Sequence, residues 1–416
     1  MNTLYNILVR VTEKLLLLPA AFSPKMKQFV EGRKSTFSIL KESIKPQDKT
    51  IWFHAASLGE FEQGVPIIEI VKRIYPQHKI IISFFSPSGY ENKKNTPLAD
   101  VVVYLPLDTP ENAGRFLEYV HPDLVFFIKY EFWPNYLKEL KKQHIRTFLI
   151  SGVFRKDQVF FKPYGSWMKE SLKTFEHFFV QNNSSLQLLR SIGINNVTLS
   201  GDTRFDRVSQ QLEQNNRLEF IEEFLDGKKC IVAGSTWAED EKLLIDFINT
   251  SPNDVKFIIA PHQIKPEEIA RLKKAVTQSV ALFSEKDNRS LARSKVFIID
   301  TIGLLTRLYN YADIAYVGGA AGKTGLHNVL EPATFGVPIV IGKNFKKFPE
   351  AKKLQDLGSL FSVSTKEELQ EIFNRLLKSD DERLRTGTIS RDFIRSNTGA
   401  GHIIETYLIS PNVKKP

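Results

Sequence analysis

Ile51-Trp52-Phe53-His54-Ala55-Ala56-Ser57-Leu58-Gly59-Glu60 reads as a buried strand, a tight loop and the first turn of a helix. The run from Ile51 to Ala56 is continuous rather than alternating, as expected of a parallel strand covered on both faces, and an amphipathic segment begins at Phe61. Glu60 then meets the positive end of the helix dipole and its unpaired N–H groups. It is expected to be ionised at neutral pH and able to accept a proton, which makes it a candidate general base. An acidic residue in a first turn also serves helix stability alone.

The same β-then-α reading extends outward from this stretch. Runs at 51–55, 80–84, 101–104, 124–128, 147–150 and 177–180 read as parallel strands, with helical patterns between them. A second series runs 230–233, 257–260, 281–283, 296–299, 314–317 and 337–341. Two doubly wound α/β domains follow. Between them lies 207–227, rich in Gln, Asn and Glu and poor in strand formers. The expected organisation is an N-terminal segment 1–35, a first domain 36–206, a linker 207–227 and a second domain 228–416 closed by helices around 367–377 and 381–395.

Composition agrees with this division. A chain of 416 residues exceeds what one core usually organises, and 42% hydrophobic with 25% charged residues is the balance of a folded protein. The single cysteine, Cys230, excludes an internal disulfide and sits in an apolar run, which fits a buried thiol. The net charge of +10 points to an anionic partner: nucleic acid, an acidic membrane or a phosphorylated substrate. No zinc-type cysteine spacing and no long arginine-rich stripe is present, and lysines such as Lys138, Lys141 and Lys142 are spread over ordinary helix surface. No nucleic-acid partner is expected.

From Leu4 to Phe22 the chain is mostly apolar and includes Leu15-Leu16-Leu17-Leu18-Pro19-Ala20-Ala21, but Arg10, Glu13 and Lys14 interrupt it. A spanning helix wants about 20 apolar residues with few charges, so an interfacial helix backed by Lys25, Lys27, Arg33 and Lys34 fits better than a span. The alternative is a helix that packs on its own domain.

His54-Ala55-Ala56-Ser57-Leu58-Gly59-Glu60, Ser86-Pro87-Ser88-Gly89 and Glu131-Phe132-Trp133-Pro134-Asn135, in that order, resemble the N-terminal half of the Kdo transferases. Gly201-Asp202-Thr203-Arg204-Phe205-Asp206, Ser235-Thr236 and His327-Asn328-Val329-Leu330-Glu331-Pro332 continue the pattern. Enzymes of this family move 3-deoxy-D-manno-octulosonic acid (Kdo) from CMP-Kdo to a lipid A precursor, lipid IVA. The resemblance implies a GT-B fold, two Rossmann-like domains facing a cleft, whose final helix often returns to the first lobe, with a membrane-associating N-terminal helix. It implies CMP-Kdo and a phosphorylated lipid A precursor as partners, an anionic membrane surface, no cofactor and no metal. The place would be the cytoplasmic face of the inner membrane of a Gram-negative bacterium, peripheral or N-terminally anchored.

The resemblance implies Glu60 and Glu131 as catalytic, and Ser57, Gly59, Ser86 and Ser88 on the acceptor side. On the donor side it implies Arg204, Ser235, Thr236, His262, Gly318, Gly319, Gly325, His327, Asn328 and Glu331. Small residues in 318–325 and a helix starting near Asn328 would receive the CMP phosphate, and Glu331 would hold the ribose. Ser235, Thr236 and the Asn328–Glu331 spacing also suit helix caps, and Arg204 also suits a surface ion pair. The chain departs from the family pattern where Lys129 replaces an acid, Trp237 a histidine and His262 an arginine; His262 or Lys265 would replace the lost anion contact. No Asp-x-Asp motif stands near a strand end. Two other readings remain open: a GT-B enzyme with a UDP donor, and an inactive membrane-associated binding module. Retention of Glu60 argues against the second.

Overall fold

The computed structural model describes residues 2–16, 22–288 and 290–410. The chain forms two compact units, Met1–Arg207 with Thr398–Pro416, and Val208–Asn397. The first is built on parallel strands β1 (Lys49–Ala55), β2 (His78–Phe84), β3 (Val101–Tyr104), β4 (Leu124–Ile128), β5 (Arg146–Gly152), β6 (His177–Val180) and β7 (Val197–Leu199), in the order β3-β2-β1-β4-β5-β6-β7. The second uses β8 (Lys229–Thr236), β9 (Val255–Pro261), β10 (Val280–Leu282), β11 (Val296–Ile298), β12 (Ile314–Val317), β13 (Ile339–Gly342) and β14 (Leu360–Val363), in the order β10-β11-β9-β8-β12-β13-β14.

Strand order reverses between β1 and β4 in the first sheet and between β8 and β12 in the second. In open α/β sheets ligands sit beyond the carboxyl ends of the strands at such a point. Glu60 follows β1 and Glu131 follows β4, while Trp237 follows β8 and Gly318 follows β12. Topology therefore gathers the residues singled out by sequence at two switch points.

Two strands have no counterpart among the expected runs, β7 and β14, and both lie at a sheet edge. Each is short and interrupted by a polar residue, Thr198 in β7 and Ser362 in β14, so neither shows a continuous apolar run. The stretch 207–227 is not an open linker: it holds the helix Glu219–Leu225, whose Ile221 and Phe224 are fully buried in the second unit. The end of the chain also divides differently from the expected second domain. The helix Ala400–Ile409 belongs to the first unit, burying Ile404 and Leu408 against the strands and the helix Leu58–Ile74, while Asp206 accepts the Gly399 N–H at 2.8 Å.

Near the start of the chain the helix Asn2–Leu15 lies on the first unit by its polar side. The Tyr5 hydroxyl donates to buried Asp108 at 2.8 Å, Asn135 donates to Asn6 at 2.9 Å, and Arg10 pairs with Glu111. Its apolar residues Leu4, Ile7, Leu8, Val11 and Leu15 are left 47–58% exposed. Their spacing makes one stripe on a helix. The expected Leu17-Leu18-Pro19-Ala20-Ala21 run falls outside the described residues. Of the basic residues that follow, Lys27 and Lys34 are exposed, but Arg33 is not available to a surface: its guanidinium lies 3.6 Å over Phe29 and donates to Phe29 O and Phe85 O. Burial lowers it to about 10. Among the described residues no helix is long and apolar enough to cross a membrane.

Candidate active site

Glu60 stands in the first turn of the helix Leu58–Ile74, whose N-cap is Ser57. Ser57 does not cap with its side chain; its hydroxyl donates to Glu60 Oε2 at 3.1 Å. Glu60 is buried, and burial, followed by the charge of Glu131, raises its carboxyl above the ordinary range, with Lys129 and Ser57 opposing. The helix-dipole reading gave an ordinary ionised carboxylate. Desolvation and a like charge outweigh the dipole here, which makes Glu60 a stronger base. A Cβ added at Gly59 would meet nothing within 4 Å, so open space lies at the residue before Glu60.

Glu131, also buried, is held from behind. Trp133 Nε1–H lies 3.0 Å from Glu131 Oε2 and 3.1 Å from His54 Nε2, and His54 Nε2 is 3.5 Å from the same oxygen. His54 Nδ1 is 2.8 Å from Ser83 Oγ, which accepts from Trp52 Nε1 at 2.7 Å. A chain of buried polar groups thus runs from β1 and β2 to the second carboxylate. Lys129, which stands where the family shows an acid, adopts φ 73°, a region L-residues rarely enter. Its ammonium lies 5.2 Å from the Tyr130 ring centre. The Tyr130 hydroxyl is raised first by burial and then by Glu60 and Glu131, so it faces both carboxylates.

Ser86 and Ser88 form a hydroxyl pair at 2.8 Å, and Ser86 N donates to Ala56 O at 2.8 Å, fastening the loop after β2 to the loop after β1. Asn135 has a scaffold function: together with Tyr136 N and Tyr5 it ties down Asp108. Arg204, in the first unit, forms an ion pair with Asp202, its Nε and Nη2 both 2.8 Å from Oδ2. The structure thus shows it in the ion pair that sequence had left open.

In the second unit Ser235 takes φ 53° at a bulge near the end of β8, and a Cβ at Gly318 would lie 2.3 Å from Ser235 O. Gly318 is therefore required by close approach of the two strand ends. Thr236 is buried and donates to Glu241 at 3.3 Å. Trp237, His262 and His327 form one stack: Trp237 to His262 is 4.5 Å and His262 to His327 is 4.4 Å between ring centres. Trp237 Nε1–H donates to His327 Nε2 at 3.0 Å. Burial, then the neighbouring His262, lowers His327 to about 4, so it is neutral at neutral pH. His262 is also lowered by burial. These imidazoles present aromatic faces and do not replace the arginine charge.

The expected phosphate cradle takes a different form. The helix after the glycine loop is only five residues, Leu330–Thr334, and begins beyond Asn328. Asn328 accepts from Leu330 N at 3.1 Å and donates to Glu331 at 3.0 Å, a cap-like pairing, while Thr306 donates to the other Glu331 oxygen at 3.0 Å. Moreover, the loop's N–H groups are partly spent. Fully buried Asp240 accepts from Gly319 N at 2.8 Å and Ala321 N at 3.3 Å, as well as from Trp237 N and the Tyr316 hydroxyl, each at 2.9 Å. Asp240 organises this loop and was not singled out by sequence, where it reads as one of several acids in a first helical turn. Among the described residues no group of three His, Cys, Asp or Glu could hold a metal ion. Lys265, the other residue expected to replace the arginine, is the N-cap of the helix Pro266–Ala275 and is not in the stack.

Comparison with known proteins bears on this geometry. Residues 31–207 match the sequence profile of the 3-deoxy-D-manno-octulosonic-acid transferases (kdotransferase), a span that contains Glu60 and Glu131. A 3-deoxy-D-manno-octulosonic acid transferase of Haemophilus influenzae is 27% identical over 417 residues, covering 95% of each chain. A bifunctional glycosyltransferase/methyltransferase of Fusobacterium nucleatum is also 27% identical, over 92% of this chain, which spans 60% of that protein's length. In three dimensions the chain is similar to a UDP-GlcNAc 2-epimerase from Neisseria meningitidis, with a TM-score of 0.60 at 15% identity over 87% of this chain and 100% of the other. That likeness is one of fold, the paired Rossmann-like units of the GT-B class. The profile match in the first unit and the relatives that run across both make the chain similar to the Kdo transferases along nearly its whole length.

Proposed function

We propose that this protein transfers Kdo from CMP-Kdo to a hydroxyl of a phosphorylated, acylated lipid A precursor, with inversion at the anomeric carbon. The observation that carries the reading is Glu60: buried, raised, one residue past open space, and next to a second carboxylate at the switch point of the first sheet. The acceptor hydroxyl gives its proton to Glu60 as its oxygen bonds to the anomeric carbon. The bond from that carbon to the CMP phosphate breaks, and its electron pair leaves with the phosphate. Ser57, Ser86 and Ser88 offer hydroxyls to the acceptor sugar. Glu131 keeps Glu60 basic through its charge. In the second unit Glu331 contacts the ribose, and the Trp237–His262–His327 stack offers an aromatic face to the nucleotide.

Glu131→Gln removes the like charge that ranks second among the causes raising Glu60. The acid limb of the kcat/KM profile, set by protonation of Glu60, moves to lower pH in this variant. An unmoved limb, or one moved upward, contradicts the coupling of the two carboxylates.

The exposed stripe of the first helix supports peripheral membrane association, with Lys27 and Lys34 adding charge attraction. Replacing Leu4, Leu8 and Leu15 together by Ser leaves the anchoring Tyr5–Asp108 contact intact. It is expected to weaken binding to anionic vesicles at least roughly tenfold and to spare activity on detergent-dispersed acceptor. Unchanged vesicle binding removes the helix from the membrane account.

The donor is tested by offering CMP-Kdo and a panel of UDP-sugars with a lipid A precursor. Label from CMP-Kdo alone is expected in the lipid; transfer from a UDP-sugar overturns the reading.

A further inference from the structure

Trp133 is the residue before Pro134, which keeps its backbone out of the helical region, and it takes φ −103° and ψ 100° there. The next two residues are tied to buried Asp108, through Asn135 N at 3.1 Å and Tyr136 N at 3.0 Å. The indole itself lies against Phe85, 4.8 Å between ring centres. A pinned backbone and a packed ring hold the indole N–H in one direction. It points between Glu131 Oε2 at 3.0 Å and His54 Nε2 at 3.1 Å, as a bifurcated donor.

That N–H decides where the proton of fully buried His54 sits. A ring nitrogen that accepts a hydrogen bond carries no hydrogen, so Nε2 is the bare nitrogen and Nδ1 carries the proton. Nδ1 has an acceptor: Ser83 Oγ lies 2.8 Å away, and its two lone pairs receive Nδ1–H together with the Trp52 indole N–H at 2.7 Å. The contrary tautomer sets an Nε2–H against the Trp133 N–H across 3.1 Å. It also reaches Glu131 Oε2 only at 3.5 Å, beyond the usual range of N–H···O bonds. Around the ring, β1 brings Trp52, β2 brings Ser83 and β4 brings Phe127, none of them charged, and the segment after β4 brings Trp133 and Glu131.

We propose that Trp133 is a positioning residue: by filling His54 Nε2 with its own N–H it keeps that nitrogen from carrying a proton toward Glu131, and the charge of Glu131 is left to act on Glu60. A His54 protonated at Nε2 as well as Nδ1 pairs with Glu131 and cancels that charge. Glu60 is faced by Glu131, Lys129, Ser57 and Tyr130, and of these Glu131 is the one whose charge raises the Glu60 carboxyl. The link to transfer rests on the proposed function. The placement of the His54 proton does not.

The test follows the imidazoles of the full chain by two-bond proton–nitrogen NMR correlation between about pH 5 and 8, with His54 assigned by its loss in His54→Gln. A proton on Nδ1 and none on Nε2 is the expected spectrum throughout, and a proton on Nε2 of the wild type overturns the proposal. Trp133→Phe keeps a ring against Phe85 and removes the N–H. In this variant His54 Nε2 is expected to carry a proton, and the acid limb of kcat/KM to move down by roughly half a pH unit or more, with KM for CMP-Kdo unchanged. Added to Glu131→Gln, the same change is expected to move the limb no further, because the charge it acts through is already gone. A limb unmoved by Trp133→Phe, or two shifts that add, overturns the proposal. If Trp133→Phe does not fold, the wild-type spectrum decides. A wild-type chain that transfers no Kdo, yet shows the Nδ1–H form displaced in Trp133→Phe, removes the proposed function and leaves the hold of Trp133 on His54 standing.

Discussion

Glu60→Gln is expected to fold as the parent does, to bind donor, and to turn over at least roughly a hundredfold more slowly. The amide keeps the shape of the carboxylate and can still receive the Ser57 hydroxyl, so the N-terminus of its helix is undisturbed. What it cannot do is take a proton from the acceptor. The loss should appear in kcat and kcat/KM together, since the interaction removed is one made as the proton moves. Burial and Glu131 both raise the native carboxyl, so the change also relieves an unfavourable buried charge, and the variant should be no less stable than wild type. Near-normal turnover would remove Glu60 from the chemistry.

Asp240→Ala is the second large effect, and it acts on stability. Fully buried Asp240 accepts from Trp237 N, Gly319 N, Ala321 N and the Tyr316 hydroxyl. Truncation strands these donors away from water, at a cost of about 1–3 kcal/mol for each that finds no other partner. A total loss of about 3–5 kcal/mol follows, because a buried charged acceptor is removed and its partners stay. Denaturant unfolding should show this loss in the second unit, with weaker CMP binding because the glycine loop loses its anchor. A variant within about 0.5 kcal/mol of wild type would show that the loop holds its shape by other means.

Much of this architecture can be read from the residues because parallel strands buried on both faces advertise themselves as unbroken apolar runs. Ile51 to Ala55, Val101 to Tyr104 and Ile314 to Val317 are of this kind, and each is a strand. Strands β7 and β14 escape the same reading because they are short and broken by Thr198 and Ser362, and in β7 Leu199 is 46% exposed. The adjacency of Glu60 and Glu131 depends on β1 pairing with β4, a non-local choice that no local pattern encodes. Asp240 is harder still. First-turn acids are common, and nothing in Glu239-Asp240-Glu241 tells which carboxylate turns inward to take the glycine loop's N–H groups. Glycine spacing shows where a backbone can approach an anion, but not that a side chain of the same unit already holds two of the loop's N–H groups. Arg33 makes a similar point, since a basic residue in a basic stretch reads as surface charge until Phe29 and Phe85 are seen to enclose it.

The central claim, that this chain moves Kdo from CMP-Kdo to a lipid acceptor, is tested most directly by measuring CMP release by the wild-type protein with and without a phosphorylated lipid A precursor. The account predicts release that depends on the acceptor and matches, mole for mole, the Kdo appearing on the lipid. Release that is equal in the absence of acceptor, or no release from CMP-Kdo under any condition, would contradict it.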